Sequence, residues 1–296
     1  MDAVMFPGQG SQRPGMGEPW KASPSWAVVA QVSDILGRDV EALLLDADAA
    51  TLQATRNAQV ASFALGLVIL GGARAAGVTW GAAAGHSLGE YTALVAAGVL
   101  TTDAATRLVG ARADAMQLAA DASPGTMAAV LGLDEDGVQA SCDAAEGEAW
   151  VANDNAPGQI VVAGSHAGVA RASAAAKERG AKVMALAVGG AFHTPLMAAA
   201  QPGLDAALAA TAFADGACAV VANVDAAPHQ AGTEWPALLS AQLCQPVQWR
   251  AGTERLASMG VTRVLELGPG AVLNGLVKRT VPALERVSLA TPADLP

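Results

Sequence analysis

Cysteine, histidine and basic side chains are all scarce in this chain, and each scarcity removes a class of function. Three cysteines, Cys142, Cys218 and Cys244, are odd in number and nowhere spaced C-x-x-C. Neither a disulfide framework nor a zinc site is expected from them. Seventeen Lys and Arg against 27 Asp and Glu leave a formal charge of −10. That balance argues against nucleic acid or an anionic membrane as the main partner, and an acidic partner needs a local basic patch. Met1-Asp2-Ala3 leads almost at once to Pro7-Gly8, with no basic segment followed by a long apolar one, so no export signal is read and a cytoplasmic setting is expected. Residues 60–73 are nearly all apolar, but the run is shorter than a bilayer span and ends at Arg74, which predicts a core helix. The early loop Gly8-Gln9-Gly10 has no G-K-[ST] after it, and a G-x-G-x-x-G pattern breaks at Arg13 and Pro14, so it is not a phosphate cradle.

What is present is a folded, apolar-rich chain of 296 residues, 52% hydrophobic and 15% charged, long enough for one large domain carrying a smaller one. It is organised around Gly85-His86-Ser87-Leu88-Gly89-Glu90-Tyr91, a G-x-S-x-G pentapeptide between a small-residue run and a helical pattern over residues 88–97. On a sharp strand-to-helix turn such a serine exposes its Oγ, and the two glycines let neighbouring backbone pack without a Cβ. The free N–H groups of the following helix are suited to an oxyanion. A serine nucleophile needs a base, and only four histidines exist: His86, His166, His193 and His229. His86 adjoins the serine and should diverge from it, and His166 opens a helix elsewhere, which leaves His193 and His229. Gly8 and Gly10 allow the Gln9 amide to approach a ligand closely.

Elsewhere the pattern predicts strands at 3–6, 219–223 and 263–267, and helices at 25–36, 102–120 and 271–279. The last dozen or so residues read as poorly anchored. Between residues 124 and 190 the texture changes. A strand at 126–131, a helix at 134–145, a hairpin of 150–153 with 160–163 around Asn155-Ala156-Pro157-Gly158, a helix at 167–179 and a strand at 182–188 give the order β-α-β-β-α-β of a ferredoxin-like unit.

Six motifs now stand in order. They are Phe6-Pro7-Gly8-Gln9-Gly10-Ser11-Gln12, the serine heptapeptide, Arg112 on the next helix, Ala191-Phe192-His193-Thr194-Pro195, Gln242-Leu243-Cys244-Gln245-Pro246-Val247-Gln248-Trp249 and Glu266-Leu267-Gly268-Pro269-Gly270. In order and spacing this set resembles the malonyl-CoA:acyl carrier protein transacylases, over residues 4–279. The resemblance implies an α/β fold: an α/β-hydrolase-like catalytic subdomain with a parallel sheet, residues 1–123 and 191–296, and an inserted ferredoxin-like subdomain, residues 124–190. It implies Ser87 as nucleophile, His193 as general base, Gln242 as the residue whose carbonyl orients that histidine, and the Gln9 and Leu88 amides as oxyanion hole. Arg112 is implied to clamp the free carboxylate of malonate, a task suited to a planar guanidinium that keeps its charge when desolvated.

The implied substrates are malonyl-CoA and the phosphopantetheine thiol of acyl carrier protein, joined by a ping-pong reaction through malonyl-Ser87, with no metal or redox cofactor. Phe192, just before the base, resembles the malonyl-selective acyltransferases of polyketide synthases, where a serine at this place accompanies methylmalonyl. Two departures stand out: an acid in Asn153-Asp154-Asn155 at the cleft edge, and a single cation in Gly180-Ala181-Lys182-Val183. Arg171, Lys177, Arg179 and Lys182 are candidates for docking an acidic carrier protein. The alternatives are a discrete polyketide acyltransferase acting in trans, or a serine thioesterase or esterase using a late His229 with Asp225.

Overall fold

The computed structural model describes all 296 residues, and its ten strands form two sheets. They are β1 Asp2–Phe6, β2 Ala82–Gly85, β3 Thr126–Leu131, β4 Ala149–Ala156, β5 Gln159–Gly164, β6 Lys182–Ala185, β7 Ala219–Val221, β8 Pro228–His229, β9 Arg263–Leu267 and β10 Glu285–Leu289. The larger sheet runs β10-β9-β1-β2-β7-β8, parallel throughout except for the short β8. Its central strands are short and apolar because helices cover both faces and every position must be buried. All four residues of β2 and the last four of β1 are buried.

The register sets Phe6 opposite Gly85 and Ala84 opposite Val221. The loops that leave β1, β2 and β7 therefore emerge together at the carboxyl edge of the sheet, where open α/β sheets bind ligands. Gln9, Ser87 and Asn223 all follow these strand ends.

The helix Thr55–Ala75 meets the length and hydropathy of a membrane span, yet most of it is buried inside the protein. It is the core helix that residues 60–73 predict. Against it packs Thr102–Ala122, which carries Arg112, and the helix after Ser87, Gly89–Ala97, is buried at all nine positions. The smaller sheet is antiparallel with order β4-β5-β3-β6. Its helices Glu135–Asp143 and His166–Glu178 are N-capped by the Asp134 and Ser165 side chains. They cover a separate cluster that includes Val130, Val138, Ile160, Val162 and Val169. This is the β-α-β-β-α-β order expected from the sequence. Val247 joins the two halves: its N–H donates to the Ala152 carbonyl and its carbonyl accepts from Asp154 N–H, both at 2.9 Å.

Two expectations need correction. The C-terminal residues are anchored: β10 pairs with β9 over five positions, Leu289 is buried, and the Trp20 indole N–H donates to the Ala290 carbonyl at 2.8 Å. An edge strand needs only one paired flank, so β10 carries no long apolar run to betray it. The hairpin strand β4 also continues through Asn155 and Ala156, and the turn is confined to Pro157-Gly158. Its three polar residues disguised a buried strand.

Two glycines test the packing in opposite directions. A Cβ on Gly89 would stand 2.0 Å from the Phe6 carbonyl oxygen, in rigid backbone, whereas one on Gly275 in the helix Val272–Thr280 meets nothing within 4 Å. Gly89→Ala is expected to lose more than about 3 kcal/mol of stability, and Gly275→Ala to gain about 0.4–1 kcal/mol by restricting the unfolded chain. Urea unfolding of the two variants beside the parent protein checks both signs.

Candidate active site

β2 delivers Ser87 on a turn that only this sequence pattern permits. Ser87 has φ 52°, in the left-handed region that a non-glycine residue occupies at a cost of order 1–3 kcal/mol. A Cβ on Gly85 would lie 2.0 Å from Gly89 backbone, so both glycines of the pentapeptide are needed for the turn to close. The turn is gripped on both sides. Ser87 N–H donates to Asn223 Oδ1 at 2.6 Å, and the Ser87 carbonyl accepts from Gln242 Nε2 at 3.0 Å.

His193, also at positive φ (61°) and 4% exposed, points Nε2 at Ser87 Oγ at 2.8 Å. Its Nδ1 lies 2.7 Å from the backbone carbonyl of Gln242. A carbonyl can only accept, so Nδ1 carries the hydrogen and Nε2 is left free to take a proton. Gln242 is the last residue of the helix Trp235–Gln242. Its carbonyl is among those the helix leaves unpaired, at the negative end of the dipole. Burial, and then the Arg112 charge, push the His193 pKa down to about 3, with the Gln242 carbonyl opposing.

Arg112 is 1% exposed, where a surface charge would be the ordinary reading of a helix arginine. No carboxylate contacts it. Its Nη1 donates to Gln59 Oε1 at 2.6 Å, and Nη2 to Gln242 Oε1 at 2.9 Å and Ser87 Oγ at 3.1 Å. The guanidinium lies 5.6 Å from the centre of the Tyr91 ring, and its Nε has no partner. A buried cation held only by neutral groups is prepared for an anion.

Ser87, Arg112 and His193 line a cleft of about 570 Å³. Gln9, Phe192, Asn153 and Asn155 also face it. A Cβ on Gly8 would touch the His86 carbonyl at 2.4 Å and lie 3.6 Å from Leu88 N, so the first loop abuts the elbow. Neither the Gln9 nor the Leu88 N–H donates to another backbone group. Ser87, His193, Gln242, Arg112, Gln9, Leu88 and Phe192 are thus gathered at one place.

His86 diverges from the serine as expected, with Nε2 2.8 Å from Asn155 Oδ1 and its ring against Trp249. His229 does pair with Asp225, at 2.9 Å, but also with Glu234 at 3.0 Å, and it does not line this cleft. The late acid–histidine pair of an esterase therefore exists only as an ion-pair cluster away from Ser87. Asp154 departs from the cleft, held by Arg250 Nε at 2.7 Å. Of the four cations considered for docking, Arg171 is already engaged by Glu148 at 2.8 Å.

Sequence reasoning missed Gln59, Asn223 and the use of Glu90. Glu90 and Gln59 carried a signal, as polar residues within or beside apolar helical runs that leave them buried. Asn223 carried none beyond its position at a strand end.

Residues 4–293 match the acyl transferase domain family. The malonyl CoA-acyl carrier protein transacylase of Escherichia coli (strain K12) is 40% identical over 303 residues, covering 98% of this chain and 96% of that protein. The crystal structure of malonyl-CoA:acyl carrier protein transacylase from Xanthomonas oryzae is 42% identical, with a TM-score of 0.95 over 99% of this chain and 95% of that one. A malonyl-transacylase solved in complex with its type II polyketide acyl-carrier protein is 38% identical, with a TM-score of 0.95 over 99% of this chain and 97% of that one.

The His193 environment predicts a pH profile. The acid limb of kcat/KM reports the free enzyme's base. A base held near 3 by burial and Arg112 stays unprotonated far below the ordinary histidine value of about 6.5. The acylation rate constant on malonyl-CoA should therefore stay flat from pH 7 down to about 5, measured by stopped-flow release of CoA. A limb centred at 6.5 or above would contradict the depressed base.

Proposed function

We propose, from the membership of this chain in the malonyl CoA-acyl carrier protein transacylase family, that its cleft transfers malonyl from malonyl-CoA to the phosphopantetheine thiol of acyl carrier protein by way of malonyl-Ser87. One observation carries the residue assignment: the 2.8 Å contact of Ser87 Oγ with a His193 whose other nitrogen is fixed on a backbone carbonyl. Ser87 Oγ attacks the thioester carbonyl while its proton passes to His193 Nε2. The tetrahedral oxygen is held by the Gln9 and Leu88 N–H groups. The C–S bond then breaks, the proton on Nε2 goes to the departing CoA sulfur, and a malonyl ester remains on Ser87. In the second half the carrier thiol gives its proton to Nε2 and its sulfur attacks the ester. The C–O bond breaks and Oγ takes the proton back, so atoms balance and no metal or redox cofactor enters.

Arg112 is assigned to the free carboxylate of the malonyl group. Its place in the cleft wall and the reach of its Nη2 to Ser87 Oγ support that role. The pairing has a second consequence, because the arginine charge is one cause of the weak base. A bound carboxylate neutralises that charge and strengthens His193 as the reaction begins.

We further assign residues 1–123 with 191–296 to a catalytic subdomain, residues 124–190 to a ferredoxin-like one, and the enzyme to the cytoplasm. Three unpaired cysteines fit that setting. The chemistry serves fatty acid or polyketide synthesis equally, since both consume malonyl carried on a phosphopantetheine thiol.

Intact-mass analysis after mixing with malonyl-CoA tests the scheme. Ser87→Ala should leave the fold unchanged and abolish the adduct, and an adduct retained in that variant would move the nucleophile elsewhere. Arg112→Ala should cost malonyl transfer about 1.5–3 kcal/mol or more and acetyl transfer relatively less. Equal losses on both acyl groups would refute the clamp.

Phe192 is 5% exposed and borders both the cleft and the core. As a steric gate against an α-methyl group it should discriminate by roughly 10- to 200-fold. Phe192→Ser should raise methylmalonyl loading relative to malonyl. Lowered melting temperature with an unchanged acyl ratio would assign the ring to packing alone.

A further inference from the structure

Glu90 lies in the first turn of the helix that follows Ser87, 1% exposed, a carboxyl with no cation in direct contact. Burying such a group costs several kcal/mol or more unless each oxygen is paired. Here each is. Oε1 accepts from Asn223 backbone N–H at 2.7 Å, and Oε2 from Gln242 Nε2 at 2.6 Å. Burial is the largest influence and raises the Glu90 pKa to about 8, with the Asn223 N–H, the Gln242 amide and the Arg112 charge offsetting it only in part. Both oxygens meet donors and no acceptor, an arrangement that fits the carboxylate.

The two residues that Glu90 holds are those that grip the elbow. Asn223 takes Ser87 N–H on Oδ1 and gives Nδ2 to the Gly85 carbonyl at 2.7 Å. Gln242 reaches the Ser87 carbonyl through Nε2, Arg112 through Oε1 and His193 through its backbone carbonyl. The amide orientation of Gln242 is fixed by these partners, because the carbonyl of Ser87 demands the NH2 and the guanidinium demands the oxygen. One carboxylate therefore sits beneath nucleophile, base and clamp together.

We infer that Glu90 is a positioning residue for acyl transfer: through Gln242 and Asn223 it holds Ser87, His193 and Arg112 in their mutual geometry. This rests on the assignment of Ser87 and His193 as nucleophile and base.

The test is Glu90→Gln, which keeps the volume but turns an NH2 toward either Gln242 Nε2 or Asn223 N–H, donor against donor. Loss of this supporting contact should lower kcat for malonyl transfer by about 10- to 100-fold while KM for malonyl-CoA stays within about threefold. Glu90→Asp keeps two acceptor oxygens for Gln242 and Asn223 and should be more active than Glu90→Gln. A Glu90→Gln enzyme with unchanged kcat, or a Glu90→Asp enzyme no better than Glu90→Gln, overturns the proposal. If Glu90→Gln does not fold, Glu90→Asp carries the criterion, with kcat expected below the parent and KM unchanged. If neither folds, Glu90 is a stability residue and the proposal fails. Parent enzyme run in parallel separates the two levels: no malonyl adduct on parent Ser87 sinks the catalytic assignment, whereas a normal parent adduct beside an unaffected Glu90→Gln sinks only the positioning role.

Discussion

The structure depends on holding Ser87 in a left-handed backbone conformation it would not choose. That cost, of order 1–3 kcal/mol, persists only where the surroundings over-determine the turn. They do so from three chain segments. The Phe6 carbonyl meets His86 N–H at 2.9 Å, and Gly89 lies too close to that same carbonyl for any side chain. Asn223, after β7, takes the serine N–H, and Gln242, some 155 residues along the chain, takes its carbonyl. The central strands must be parallel and in this register for those segments to converge. The sheet is therefore the frame of the elbow as well as the core of the protein.

The second constraint is electrostatic. A dyad without a carboxylate on its histidine has a weaker base than a triad, and the Arg112 charge weakens it further. An aspartate at the position of the Gln242 carbonyl would strengthen the base, but it would also offer Arg112 a permanent partner in place of the substrate carboxylate. A backbone carbonyl orients the imidazole and adds no full charge to the cleft. The acid is set one residue deeper, at Glu90, where it holds Gln242 without contacting Arg112.

Much of this was legible in the residues. The pentapeptide, the β-α-β-β-α-β order and the apolar core helix each rest on local rules: glycine where a Cβ cannot fit, periodicity, and run length. The co-linear motifs singled out Arg112 and Gln242, which the structure sets against Ser87 and His193. What stayed hidden was set by long-range pairing. β10 is an edge strand with half-buried residues, and β4 buries Asn153, Asp154 and Asn155, of which Asp154 pairs through Oδ2 with Arg250 and Asn155 through Oδ1 with His86. Asn223 and Gln59 act through partners 136 and 53 residues away. A side chain whose whole purpose is a distant hydrogen bond leaves no periodic trace.

The electrostatics of His193 do not by themselves choose between a thiol and water as acyl acceptor. General-base efficiency depends on the match between the base and the proton it removes. A thiol gives up its proton near pH 8.5 and bulk water near 15.7, so the thiol is the easier proton for any base by some seven decades in acidity. In the proposed scheme the malonyl carboxylate pairs with Arg112 and lifts the depression of His193 only in part, because burial, the larger cause, persists. The preference for thiol over water then rests on the acidity of the acceptor and not on the strength of the base.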